Sequence, residues 1–283
     1  MRRCLTVLLL LFLPIALSAQ SFMSRSEIGL TFGGMNYIGD LNNQSIFGQP
    51  EMAGGVLARM NLDDRWSVAL NGAYGHLKGG NPDVERRRNL SFRSYLWEAN
   101  LRMEFNFVPF GTEGLRFRTT PYIFCGLGFF CFNPTTTYTN PATGETISVE
   151  LQPLNTEGQG LAAYPERIPY TLIAVSMPFG LGFKAALTKD ITFAVEYGFR
   201  KTWTDYIDDV STTYVGAESL GPGSLSATLA DRSAEVEPGY VNAPGIKRGD
   251  DSLKDWYAYF NLSLSCTLDA LFGWMRSKKC EIK

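Results

Sequence analysis

The chain is predicted to be all-β, an eight-stranded antiparallel transmembrane β-barrel with long extracellular loops. Three observations carry this expectation. Apolar and polar residues alternate over unusually long segments, an export signal opens the chain, and long connections take turns with short ones. The segment 95–107 shows the first most clearly. Tyr95, Trp97, Ala99, Leu101, Met103, Phe105 and Phe107 fall on one face, and Leu96, Glu98, Asn100, Arg102, Glu104 and Asn106 on the other. A period of two is that of a β-strand. Soluble strands average about 5–6 residues, whereas a tilted membrane-crossing strand needs about 9–11. With a rise of ~3.3 Å per residue, Trp97 to Phe107 spans about 25 Å of depth, the height of a barrel's apolar band. No water in lipid satisfies a sheet edge, so the other strands must close the sheet.

At the amino end, Arg2 and Arg3 precede a largely apolar run over 5–17, with Ser18 and Ala19 near the expected cut. Residues 1–20 therefore read as a cleaved signal peptide. The run is interrupted by Pro14 and falls short of the ~20 residues of a membrane-spanning helix. The expected division is a signal over 1–20, a barrel over 21–268 and a periplasmic tail over 269–283. Removing two arginines from a net charge of −2 leaves −4, which argues against nucleic acid as a partner. After cleavage Cys125, Cys131, Cys266 and Cys280 remain. The first two lie six residues apart on one expected strand, roughly 20 Å, beyond the ~7 Å a disulfide tolerates. His76 is the only histidine, so no zinc site or other cofactor is expected.

Seven further segments alternate in the same way. They are 26–36, 52–61 with Arg59 inward, 66–78, 120–132, 176–187, 191–203 and 255–268. The segment 120–132 is apolar on both faces, so its facing is ambiguous. Together with 91–107 the set numbers eight, and a closed antiparallel barrel prefers an even count. Connections 37–51, 79–90, 133–175 and 204–254 are long and are expected outside the cell. Those at 62–65, 108–119 and 188–190 are far shorter in total and are expected in the periplasm with both termini. A soluble β-sandwich would also alternate, but strand length, export signal and loop asymmetry favour the barrel.

An eight-stranded barrel has an interior only wide enough for side chains. By parity that interior holds Arg59, Glu98, Arg102, Glu104, Lys184, Glu196 and Arg200. Unpaired charge there would cost several kcal/mol per ion, so the set reads as an ion-pair plug and not as a conducting pore.

Few other signals carry chemistry. Arg86, Arg87 and Arg88 could grip lipid phosphates, or form a solvated loop. Arg248-Gly249-Asp250 matches a short adhesion tripeptide that recurs by chance. His76 with Asp205, Asp208 or Asp209 could be drawn as an acid/base pair, but no nucleophile stands at a recognisable spacing. The carboxylates Asp205, Asp208 and Asp209 could coordinate a hard cation, or could bond backbone amides and pin the long loop onto the barrel mouth. In the tail, Leu271, Phe272, Trp274 and Met275 precede a basic edge and the thiol of Cys280. That mixture suits an interface with a periplasmic partner, or a segment folded back under the barrel.

The run Arg200-Lys201-Thr202-Trp203-Thr204 followed by 205–211, with Tyr164-Pro165-Glu166 and Pro169-Tyr170 upstream, resembles the PorG family. Met177-Pro178-Phe179-Gly180 between them, and Leu229-Ala230-Asp231-Arg232, Arg248-Gly249 and Asp255-Trp256-Tyr257 downstream, are similar to it too. PorG is the outer-membrane barrel of the type IX secretion apparatus of Bacteroidetes. The resemblance implies a non-enzymatic protein of the outer membrane, in contact with its lipid and with the periplasmic ring of PorK and PorN. A small-solute channel or a lipid-binding barrel is the competing expectation.

Overall fold

A computed structural model describes residues 25–42, 48–80, 88–110 and 118–273. Within these residues nine strands follow one another. They are β1 (Ser26–Ile38), β2 (Glu51–Asn61), β3 (Trp66–Gly80), β4 (Ser91–Asn106), β5 (Thr119–Thr139), β6 (Thr146–Glu150), β7 (Ile173–Ala186), β8 (Ile191–Thr202) and β9 (Trp256–Thr267). Eight of them form a closed antiparallel barrel in the order β1-β2-β3-β4-β5-β7-β8-β9, with β9 returning to pair with β1. The long segments expected to be strands are all present. Among the described residues no helix is long and apolar enough to cross a membrane.

The barrel has the eight strands expected, and the ninth strand, β6, lies outside it. β5 continues seven residues beyond Phe132, and its upper part pairs with β6 from Thr135↔Glu150 to Thr139↔Thr146. Asn133-Pro134 reads locally as a break. On its β4 side, however, Pro134 stays in register opposite Ser94, and its carbonyl accepts from Leu151 N at 2.9 Å. A two-stranded ribbon therefore rises above the barrel inside what reads as one long loop.

The outer wall is apolar from end to end. Leu30 is 70% exposed, Leu127 61% and Leu181 64%, with Phe32, Val56, Leu70, Leu101 and Leu264 exposed beside them. A continuous apolar surface of this extent is stable only in lipid. Aromatic pairs mark both ends of the band. Trp66 and Phe105 lie 4.8 Å apart at the end of the short turns, and Tyr74 and Trp97 4.4 Å apart at the other.

Closure also settles the facing of β5. Tyr122, Phe124, Phe130 and Phe132 are buried in the lumen, while Ile123, Leu127 and Phe129 face out. The lumen accepts the first two rings because glycines stand opposite. A Cβ on Gly182 would lie 2.6 Å from Tyr122 Cζ, and one on Gly198 2.5 Å from Phe124 Cζ. In β7, Pro178 has no N–H to donate. The rungs opposite Gly126 and Leu127 are missing there, although the register is the same on either side, from Cys125↔Phe179 to Gly128↔Ser176.

Candidate functional site: the filled lumen and its cap

The polar half of the lumen is built from strand positions whose parity points inward. Arg59 on β2 reaches Glu104 on β4 (Nε to Oε2, 2.8 Å), and Lys184 on β7 donates to the same oxygen at 2.6 Å. Arg102 meets Glu104 at 3.1 Å and crosses the lumen to Glu196 on β8, with Nη1 to Oε1 at 2.6 Å and a second contact between Nη2 and Oε2. Tyr122 donates to Glu196 at 2.6 Å, and its ring lies 4.2 Å below Lys184 Nζ. One level higher, Arg200 faces Glu98 at 3.2 Å, and Tyr257 donates to the same carboxylate at 2.9 Å. All seven residues expected inside are in the lumen and buried.

An eighth, Glu27, was not among them. It is buried on β1, accepts from Arg59 Nη1 at 3.2 Å, Ser265 Oγ at 2.6 Å and Asn61 Nδ2 at 2.9 Å, and completes the charge balance. Arg59, Arg102, Lys184 and Arg200 now stand against Glu27, Glu98, Glu104 and Glu196. The signal for it was present, since Glu27 precedes outward-facing Ile28 and so points inward.

Above the charges the lumen turns apolar, with Leu77, Leu96, Phe130, Phe132 and Tyr257 in one cluster. The cap continues this core upward. Ile207, from the loop between β8 and β9, is fully buried in the same cluster, together with Leu151 and Leu229. Two short helices, α1 (Ala217–Leu220) and α2 (Leu225–Ala230), lie in that loop, and Ser224 caps α2 by accepting from Ala227 N at 3.1 Å. Tyr170 stacks between Phe132 and Tyr206, the latter at 4.6 Å, and ties cap to lumen.

The carboxylates flanking Ile207 clamp the cap. Asp209, in a left-handed conformation at φ 65°, accepts from Tyr170 OH at 2.7 Å and Thr156 Oγ1 at 2.5 Å. Asp208 accepts from Val210 N at 2.9 Å and Tyr37 OH at 2.6 Å, and Asp255 Oδ1 lies 2.7 Å from the same phenol. The two carboxyl groups thus share one phenol hydroxyl. Burial, and for Asp255 the charge of Asp208, hold both acids well above the usual carboxylate range. Burial also pushes Asp205 up to about 7 and Asp209 up to about 6, the latter against the opposing pull of Arg248. Among the described residues no group of three or more His, Cys, Asp or Glu side chains is arranged to hold a metal ion.

The centre of the cap is a pair that spacing did not single out. Arg248, 2% exposed, donates from Nη1 to Glu157 Oε1 at 3.0 Å, and Glu157 also accepts from Ser211 N, Thr212 N and Thr212 Oγ1. The adhesion tripeptide is thereby buried at its first residue. Arg88 does not reach for lipid phosphates, because its guanidinium is turned inward to the carbonyls of Arg248 (2.6 Å) and Asp40 (2.7 Å). Arg86 and Arg87 lie outside the described residues. His76 faces outward beside Tyr74, with ring centroids 5.4 Å apart, on the opposite side of the wall from the cap carboxylates, and the two do not meet. In the tail, Leu271 and Phe272 are 37% and 43% exposed at the rim of the short turns. Trp274, Met275 and Cys280, like the signal over 1–20, lie outside the described residues.

An apolar outer wall, aromatic pairs at both edges and a lumen filled by matched charges define a closed transmembrane β-barrel of the outer-membrane type. Residues 2–152, more than half of the chain, match the family described as Domain of unknown function (DUF6089), and the chain belongs to that family. No curated protein matches it in sequence. Among solved structures it is similar to Neisserial surface protein A (7% identity, 86% of this chain and 96% of the other, TM-score 0.40). It is also similar to OprG from Pseudomonas aeruginosa (13%, 85% and 94%, TM-score 0.39) and to Ail of Yersinia pestis (9%, 85% and 96%, TM-score 0.38). At such scores these likenesses add nothing to the architecture, which rests on the strand pairing of the chain itself.

Proposed function

We propose that the protein is a non-enzymatic outer-membrane barrel that acts through its rims, as an anchor or assembly point for secretion machinery. The observation that carries this reading is the charge-balanced lumen. Four cations and four carboxylates pair across its polar half, and a packed cap sits above them, so a solute path would require breaking buried ion pairs. A barrel closed in this way offers its surfaces and not its interior. The particular machinery we propose is the type IX apparatus, on the strength of the PorG-like motifs around 200–211 and 248–257. Contact with a periplasmic ring of the PorK–PorN kind would fall on the short turns and the tail, where Leu271 and Phe272 are exposed.

Two experiments test this. Deleting the gene should leave other proteins unable to reach the cell surface; normal surface display would remove the secretion role. A chain truncated after Leu268 should still fold as a barrel but no longer co-purify with periplasmic ring proteins. Retained co-purification would move the contact to the turn at 108–119. Stepwise conductance of the intact protein in a planar bilayer would favour the channel reading instead.

A further inference from the structure

On the outer wall, where β7 and β8 part, the fold leaves a groove of about 730 Å³. β8 ends at Thr202 opposite Ser176, while β7 runs on to Ile173, paired only with β5. Into the space between come the exposed apolar side chains of Ile173, Val175 and Trp203. Ile173 pairs with Cys131, and Cys131 with Trp97, so the groove lies by the upper aromatic girdle, the boundary between acyl chains and headgroups, with Val175 two residues deeper. Its upper end reaches the cap at Asp205, Ser211 and Lys254.

That upper end is incompletely satisfied. Asp205 is 3% exposed, and its Oδ2 accepts from Ser211 Oγ at 2.6 Å. Its Oδ1 is buried with no hydrogen-bond partner. Such an acceptor is costly unless something donates to it. Lys254 does not: its Nζ lies 3.9 Å from Oδ2, outside hydrogen-bond range, and donates to Asp251 O at 2.8 Å. The groove thus offers an apolar channel at membrane level leading to a carboxylate with one oxygen that lacks a donor and to one half-exposed ammonium.

We propose that this groove binds a membrane amphiphile with a zwitterionic head, the acyl chain lying along Ile173, Val175 and Trp203. The head's ammonium donates to the Asp205 carboxylate, which turns its otherwise buried Oδ1 into the groove to accept, and the head's anionic oxygen accepts from Lys254. A purely anionic head leaves the carboxylate unserved, and a quaternary ammonium has no N–H to give it. The site does not depend on the secretion role, and its failure would leave that role untouched.

The test uses the purified full-length protein in detergent and a single-chain amphiphile brominated on its acyl chain, which quenches nearby tryptophan. A phosphoethanolamine head should give saturable quenching, with a midpoint at least tenfold lower than the same chain carrying phosphocholine or phosphomethanol. Trp203→Phe should remove the saturable component. Asp205→Asn and Lys254→Ala should each raise the midpoint at least tenfold. Since Asp205→Asn could disturb the cap, Val175→Phe fills the groove from its exposed wall and should abolish saturation with the cap intact. Equal quenching by all three heads, or saturation that survives Val175→Phe, would overturn the proposal and leave only nonspecific lipid at the barrel surface.

Discussion

Arg102 of β4 and Glu196 of β8 meet across the lumen in a two-point contact, with Nη1 to Oε1 at 2.6 Å and Nη2 to Oε2 beside it. These strands are not neighbours in the sheet, so the pair braces the barrel across its lumen. Arg102 also neutralises Glu104, and its guanidinium lies 4.3 Å from the centre of the Phe124 ring. Replacing it with Leu strands Glu196 with only Tyr122 as a donor. Breaking one partner of a buried pair costs about 3–5 kcal/mol. Arg102→Leu should therefore lower the temperature at which the folded, fast-migrating form is lost on a heat-modifiability gel, and an unchanged transition would mean that the pair contributes nothing to closure.

Glu27 offers a graded comparison. Arg59 retains Glu104 when Glu27 is neutralised, so Glu27→Gln removes charge balance without leaving a guanidinium wholly unpaired. The expected loss is about 1–3 kcal/mol, that of a buried hydrogen bond to a charged group. On the same gel its transition should fall between wild type and Arg102→Leu. A larger loss than for Arg102→Leu would place the main brace on β1 instead.

Arg248→Met should act on the cap alone. It leaves Glu157 buried with its backbone donors but without its cation, and frees Asp209 from its nearest guanidinium. Protease added to intact cells should then cut within 151–172 or 204–254 at least tenfold faster than in wild type. The strands should remain heat-modifiable. Loss of heat-modifiability would show that cap and barrel unfold as one unit.

The cap's stability should depend on pH with a definite sign. Asp205 is raised to about 7 and Asp209 to about 6, while an unfolded aspartate titrates near ~3.9. The folded cap therefore holds more protons than the unfolded loop between pH ~4 and ~7, and its stability falls as pH rises through that window. Asp208 and Asp255 shift in the same direction. Hydrogen exchange over 204–254, corrected for its intrinsic pH dependence, should show less protection at pH 8 than at pH 5. Asp205→Asn should flatten the slope, and greater protection at pH 8 would refute the assignment.

Strand periodicity is a local property, and it made most of the barrel legible. Leu101 and Arg102 lie on opposite sides of the wall because adjacent residues in a strand point oppositely, whatever the rest of the chain does. The same parity brought Arg59, Glu98, Arg102, Glu104, Lys184, Glu196 and Arg200 into one lumen, and would have added Glu27 had it been extended to the first residues of β1. Parity was silent for β5, where Tyr122 and Ile123 are both apolar. There the burial of one face was decided by glycines on β7 and β8, whose neighbourhood exists only after closure. Which cation meets which carboxylate was likewise a matter of register, since Arg102 and Glu196 are ninety-four residues apart. The cap lay furthest from the sequence. Glu157, Arg248 and Tyr37 occupy irregular or terminal segments with no period to read, and their contacts follow from how three distant stretches pack over one mouth. Alternation thus determined which residues face lipid and which face the lumen, because backbone geometry sets it residue by residue. Only the tertiary structure decided the pairings, because they depend on how the sheet closes.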